Sequence, residues 1–198
     1  MNAQSHATVA VLDDDRDFAM SVARLLGRND HTALAFSAPA ELLEALPGSS
    51  IGCVVSDIQL GEIDGFVFAE TLRAHDTALA LVFMTAWPTT AHAVDAVRRY
   101  GGLDYLEKPI DEGRLLTAVS EGLAWSERER RIAALTGQLT RREREVFDLL
   151  VRGHSNKEIA DRLAISARTV EDHRAAIVSK TRTNGLAQLV ALSRGESI

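Results

Sequence analysis

The chain has 198 residues, 46% hydrophobic and 25% charged, with a net charge of −6, enough apolar material for one large core or two small ones and too much for a disordered chain. No stretch approaches the roughly 18 consecutive apolar residues of a membrane helix, and the N-terminus lacks the basic and long apolar segments of a signal peptide. One cysteine, Cys53, excludes an internal disulfide, so a soluble protein of the reducing cytoplasm with no membrane partner is expected.

Charge divides the chain. Residues 1–125 carry 18 acidic against 8 basic side chains, a net of −10, and residues 126–198 carry 10 against 14, a net of +4. An acidic half joined to a basic half suggests a cation site in one and a polyanion partner for the other; an uneven surface with no such meaning is the plain alternative.

In the first half, short apolar runs alternate with helix-period segments. Strands are expected near 8–12, 32–36, 52–56, 79–84 and 103–106, and helices near 16–28, 38–46, 64–74, 89–100 and 111–125. That alternation is the pattern of a parallel α/β sheet covered on both faces. Phe18, Val22, Leu25 and Leu26 form the apolar stripe of the first helix, and Leu115, Leu116, Val119 and Leu123 that of the fifth. Asp15 and Asp111 are placed to cap these two helices. Cys53 falls in the most apolar strand, as a small buried hydrophobe. After Ala124, WSERERRIAAL keeps helix formers while alternating charge, so the fifth helix is expected to continue as a helical linker.

Polar groups stand at the ends of four of these strands: Asp13, Asp14 and Asp15, then Asp57, then Thr85, then Lys108 with Pro109. In a sheet of order 2-1-3-4-5 the first and third strands are neighbours, which brings Asp13 and Asp14 to Asp57 in the crevice at the strands' carboxyl ends. Three carboxylates so close repel one another unless a hard dication holds them, and Mg²⁺ is the natural one. Asp57 would then be a nucleophile toward a phosphoryl group, with Thr85 as hydroxyl donor and Lys108 as a point charge. Singly, each residue has a structural reading as a helix cap or a turn; together they point to one site.

These residues, with VVSDIQL, Gly65, the MTA of 84–86 and DYLEKP at 104–109, make residues 8–122 resemble a receiver domain of the two-component response regulators. The resemblance implies a flavodoxin-like fold, Asp57 as phosphoacceptor, and Mg²⁺ held by Asp13, Asp14, Asp57 and the Gln59 carbonyl. It also implies Thr85 and Tyr105 as switch residues, Lys108 as phosphate sensor, a cis Lys108-Pro109 bond and a sensor histidine kinase as partner. Gly61 departs from the family pattern where a proline is usual, Trp87-Pro88 follows the switch threonine, and the stretch near RRYGG is about one residue long. A haloacid-dehalogenase-like phosphohydrolase would need a second acid at position 59, where glutamine stands.

The basic half holds three helix starts in quick succession. Thr140 with Glu143 and Ser155 with Glu158 form capping-box patterns, and Ser166 can cap a third helix. Val146, Leu149, Leu150, Ile159, Leu163, Ile165, Val170 and Ile177 can close a small core around a short turn at 164–166. A small interaction bundle would look the same; the positive charge favours double-stranded DNA. LTRREREV and SNKEIADRLAISARTVEDH are similar to the LuxR-type helix-turn-helix of the NarL/FixJ class. That resemblance places Lys157, Thr169 and Lys180 near phosphates. Arg168, His173 and Arg174 are expected as further DNA contacts, and His173 competes as a packing residue. Glu171 and Asp172 are acidic on the same helix, and Thr181 and Thr183 stand where apolar residues are usual, which predicts looser packing of the last helix.

The expected organisation is an α/β receiver over 7–122, a helical linker over 123–137 and an all-α helix-turn-helix domain over 138–198. Its function would be a DNA-binding response regulator that dimerises on phosphorylation, with no chemistry beyond its own phosphoryl transfer and dephosphorylation. A phosphorylation-independent DNA binder with the receiver as dimerisation scaffold is the alternative.

Overall fold

Val9 and Val11 alternate with Ala10 and Leu12 along the first strand, and the two sets enter cores on opposite faces of one sheet. The computed structural model describes residues 7–195. In chain order the first elements are β1 (Thr8–Leu12), α1 (Arg16–Arg28), β2 (Ala33–Phe36), α2 (Pro39–Ala45), β3 (Ile51–Asp57), β4 (Gln59–Leu60), β5 (Ile63–Asp64) and α3 (Gly65–His75). They are followed by β6 (Ala80–Thr85), α4 (Thr90–Arg98), β7 (Asp104–Glu107), α5 (Glu112–Thr136), α6 (Arg141–Val151), α7 (Asn156–Leu163), α8 (Ala167–Thr181) and α9 (Leu186–Ser193).

Five strands pair in parallel in the order β2-β1-β3-β6-β7, the flavodoxin-like topology expected. Leu42 of α2, Phe66, Phe68 and Leu72 of α3, and Ala96 of α4 fill one face. Ala19, Val22 and Leu26 of α1 and Leu115, Ala118 and Val119 of α5 fill the other, where burial pushes the Cys53 thiol up to about 12. Asp15 caps α1 through the amides of Asp17 and Phe18, and the Asp111 carboxylate accepts from Arg114 N at the start of α5.

Several local features differ from the sequence expectation. Helix α4 stops at Arg98 because the amides of Arg99 and Tyr100 both turn to Asp95 O, at 2.9 and 3.1 Å. Tyr100 then lies flat on Phe66, with ring centroids 4.6 Å apart. The two-residue hairpin β4–β5 was not expected. Gln59 pairs with Asp64 and Leu60 with Ile63, and Gly61 takes φ +65° in the turn, a conformation closed to proline. Beyond the hairpin, Gly65 opens α3 directly against the strand that carries Asp57. A Cβ there would lie 2.3 Å from Asp57 O and 2.8 Å from Ile58 Cα.

The backbone divides into two compact units between Glu127 and Arg128. Both expected capping boxes are formed, and Ser166 caps α8 through Thr169 N. Val146, Leu150, Ile159, Val170, Ile177 and Leu189 close the second core. Ala164 takes the left-handed conformation between α7 and α8, which makes the tight turn. The expectation of a loose last helix is corrected. Thr181 and Thr183 are buried but satisfied, Thr181 Oγ1 donating to Ile177 O at 2.7 Å and lying 3.0 Å from Thr183 Oγ1, while Leu189 and Leu192 are fully packed. No helix among the described residues is long and apolar enough to cross a membrane.

Gly65→Ala is expected to destabilise the first unit by about 1–3 kcal/mol, because backbone atoms must move to admit the methyl. Gly61→Ala has open space around it and should cost only the left-handed penalty, about 1 kcal/mol. Urea unfolding of both variants checks the order; equal losses would remove the argument from close approach.

Candidate functional site

Strand register sets the site. Leu12 pairs with Ser56, Asp57 with Met84 and Thr85 with Glu107, so Asp13, Asp57, Thr85 and Lys108 leave the sheet at one level. Lys108 N donates to Thr85 O at 2.8 Å, extending the ladder beyond β7, and Lys108-Pro109 is cis. Asp13 and Asp57 are buried; Asp14, next along the chain, is exposed.

The Lys108 ammonium lies 2.6 Å from Asp13 Oδ2 and 2.6 Å from Asp57 Oδ2. Both carboxylates are held on their other oxygens: Asp13 Oδ1 accepts from Asp15 N at 3.0 Å, and Asp57 Oδ1 from Gln59 N at 3.1 Å. The Phe18 ring supports the same ammonium from 4.4 Å. Ligand oxygens of Asp13, Asp14 and Asp57 all lie within 4.8 Å of one another.

Burial pushes the Asp13 carboxyl above the usual carboxylate range, and neighbouring Asp57 adds to this; Lys108 opposes both without overcoming them. For Lys108, burial pulls the ammonium down, but hydrogen bonds to Asp13 and Asp57 outweigh it and the net direction is upward. Three carboxylates and one ammonium leave an excess of two formal negative charges in a small volume. That all-oxygen, charge-excess donor set fits a hard dication such as Mg²⁺.

A cleft of about 670 Å³ opens on this cluster, lined among others by Asp14, Gln59, Glu62, Trp87 and His92. His92 carries no strand-end signal, and Trp87, two residues past β6, is not among the expected site residues; Trp87 is 66% exposed, and the His92 ring meets Phe66 edge-on with centroids 5.9 Å apart. Phe18 was read as part of an apolar stripe, and only the fold reveals it beside a cation. Thr85 is buried, and its hydroxyl oxygen accepts from Trp87 N at 3.1 Å, so in this conformation it is engaged by the following loop. Tyr105 is half-buried, its hydroxyl accepting from Thr89 N at 3.4 Å.

In the second unit the expected DNA contacts separate into two groups. Lys157 and Arg168 are exposed, and Thr169 Oγ1 sits 2.8 Å from Ser166 Oγ at the start of α8. His173 is half-buried, in line with its packing role. Two others are already engaged within the protein. Arg174 donates to Asn156 Oδ1 at 2.6 Å, which ties α8 to α7. Lys180 donates to both oxygens of buried Glu143, at 2.8 and 2.6 Å, and Thr140 N donates to the same carboxylate. The Lys180 ammonium, expected near a phosphate, balances Glu143 in this conformation. Sequence spacing could not show this pair, since it depends on how α6 and α8 dock.

The sequence patterns of two families match the chain: the response regulator receiver domain over residues 9–120, and the bacterial regulatory proteins of the luxR family over residues 137–193. The transcriptional regulatory protein FixJ of Bradyrhizobium diazoefficiens is 34% identical, the match covering 98% of this chain and 96% of that one. The tetrathionate response regulatory protein TtrR of Salmonella typhimurium is 33% identical, covering 93% and 90%. Among solved structures, full-length FixJ from B. japonicum superposes with a TM-score of 0.54 at 34% identity, covering 96% of each chain, and the response regulator StyR with 0.56 at 32%, covering 94% and 98%.

Lys180 and the Thr140 amide hold the Glu143 carboxyl below the usual range. A depressed folded value means the pair's stabilisation is present above the ordinary glutamate range and is lost as pH falls through the depressed value. Lys180→Met is expected to cost about 1–3 kcal/mol at neutral pH by stranding a buried carboxylate, and to flatten the acid limb of stability. Amide exchange across α6 and α8 at a series of pH values measures both; unchanged protection at neutral pH would show the pair to be idle.

Proposed function

Because the chain belongs to the response regulators that join a receiver domain to a LuxR-family DNA-binding domain, we propose that a sensor histidine kinase phosphorylates Asp57 and so controls transcription. In this reading the receiver is 7–122, the helical linker 123–137 and the helix-turn-helix domain 138–198, acting in the cytoplasm. The observation that carries it is the Lys108 ammonium shared between Asp13 and Asp57 beside a third carboxylate, Asp14, at the mouth of an open cleft.

The chemistry follows from the charges. Asp57 is the nucleophile: one carboxylate oxygen forms a bond to phosphorus as the bond from phosphorus to the donor's imidazole nitrogen breaks, the electron pair leaving with that nitrogen. Asp13, Asp14, Asp57 and the Gln59 carbonyl would hold Mg²⁺, which when bound supplies positive charge to offset the phosphoryl oxygens. Lys108, already within hydrogen-bonding distance of Asp57, can turn its ammonium to the new phosphoryl oxygens. Thr85 can do the same once its hydroxyl leaves Trp87 N, and Tyr105, linked to Thr89 ahead of α4, is placed to follow. Dephosphorylation returns the site to its starting charge.

A single helix-turn-helix domain binds a short half-site, and a symmetric pair engages two, so phosphorylation acts by promoting a homodimer on double-stranded DNA. Val94 and Val97 on α4 are about half exposed, and Arg98 beside them is exposed too. That supports α4 and β7 as the pairing face, with α5 adjoining.

Intact mass after incubation with acetyl phosphate and Mg²⁺, together with sedimentation velocity, tests this. Wild type is expected to gain one phosphoryl group and become dimeric, and Asp57→Asn to do neither. A chain that takes no label yet binds DNA unchanged would contradict it and favour the receiver as a scaffold alone.

A further inference from the structure

Arg168, Glu171 and Asp172 stand on the open side of the first turns of α8, with side chains 80%, 54% and 66% exposed. Arg168 reaches both acids, Nη1 lying 3.6 Å from Glu171 Oε2 and Nε 3.7 Å from Asp172 Oδ1. These distances exceed hydrogen bonds, so the guanidinium donors and the carboxylate oxygens remain available to a partner. The two other basic residues of the helix are occupied, Arg174 by Asn156 and Lys180 by Glu143.

In a helix-turn-helix the N-terminal part of the second helix meets the base edges. Here that part presents two carboxylates to a polyanion, which is unfavourable unless each accepts a hydrogen bond from a base. The major groove offers two amino donors, adenine N6 and cytosine N4. Adenine sets its N7 acceptor beside the amino group, where it repels a carboxylate; cytosine has no such neighbour on its own ring. The guanine paired with that cytosine presents O6 and N7, which a guanidinium takes bidentately.

We propose that Arg168, Glu171 and Asp172 together read a C·G pair in each half-site, an acid accepting from cytosine N4 and Arg168 donating to a guanine. The inference rests on the DNA-binding reading of 138–198 and adds the base it selects. In the free protein Arg168 neutralises the two acids; on DNA the base edges replace those ion pairs. Specificity then comes in part from two acids that, by charge alone, oppose binding.

The test is enrichment of randomised duplexes on the full-length chain treated with acetyl phosphate, at fixed salt, for wild type, Glu171→Gln, Asp172→Asn and Lys157→Ala. Wild-type fragments are expected to share a C·G pair at one fixed half-site position, favoured about tenfold over A·T. Glu171→Gln or Asp172→Asn should lose that preference, because an amide also donates and so accepts adenine. Lys157→Ala should weaken all duplexes alike. Retention of the preference in both amide variants, or fragments with no fixed C·G pair, overturns the inference. Failure of wild type to hold any duplex at low salt overturns the DNA-binding reading itself, and the inference with it.

Discussion

A single ammonium between two buried carboxylates organises the first half of this protein. Asp13 and Asp57 end adjacent parallel strands, where burial and mutual repulsion oppose their charges, and Lys108 reaches both from the end of the sheet's outermost strand at 2.6 Å. Much else in the receiver serves that meeting. The pairing register brings the strand ends to one level, and Gly65 lets α3 begin against the backbone of Asp57. Phe18 backs the ammonium, and the amides of Asp15 and Gln59 fix the remaining carboxylate oxygens. One ammonium against three carboxylates leaves the cluster charge to offer an added cation.

The second half repeats the motif for a different end. Glu143 closes a capping box at the start of α6 and also takes Lys180 from the last turn of α8, so one buried acid fixes two helices. Arg174 and Asn156 join α8 to α7 in the same manner. With these charges used internally, the open start of α8 keeps Arg168 and its two acids facing outward.

The strands and the strand-end residues were legible from period, since apolar runs mark strands and whatever follows a parallel strand lies in one crevice, while the sheet order came from the common flavodoxin-like arrangement. Asp13, Asp14, Asp57 and Lys108 come together as that rule requires. Side-chain direction was not legible. Whether Thr85 turns its hydroxyl to the cleft or to Trp87 N is a rotamer choice set by the loop, and spacing carries no trace of it. The Lys180–Glu143 pair was not legible either, since Glu143 lies 37 positions earlier and meets Lys180 only when α6 and α8 dock. Gly61, read as a departure from a family proline, is what a turn at φ +65° demands.

If Lys108 balances the charge of the Asp13–Asp57 pair, then it competes with a metal ion for the same carboxylates. Calorimetric titration of Mg²⁺ into wild type and Lys108→Met measures that competition directly. The variant is predicted to bind the ion, and to bind it more tightly than wild type, because a fixed positive charge has left the site. Weaker binding by the variant, or none, would contradict the account, showing that Lys108 builds the metal site rather than sharing it.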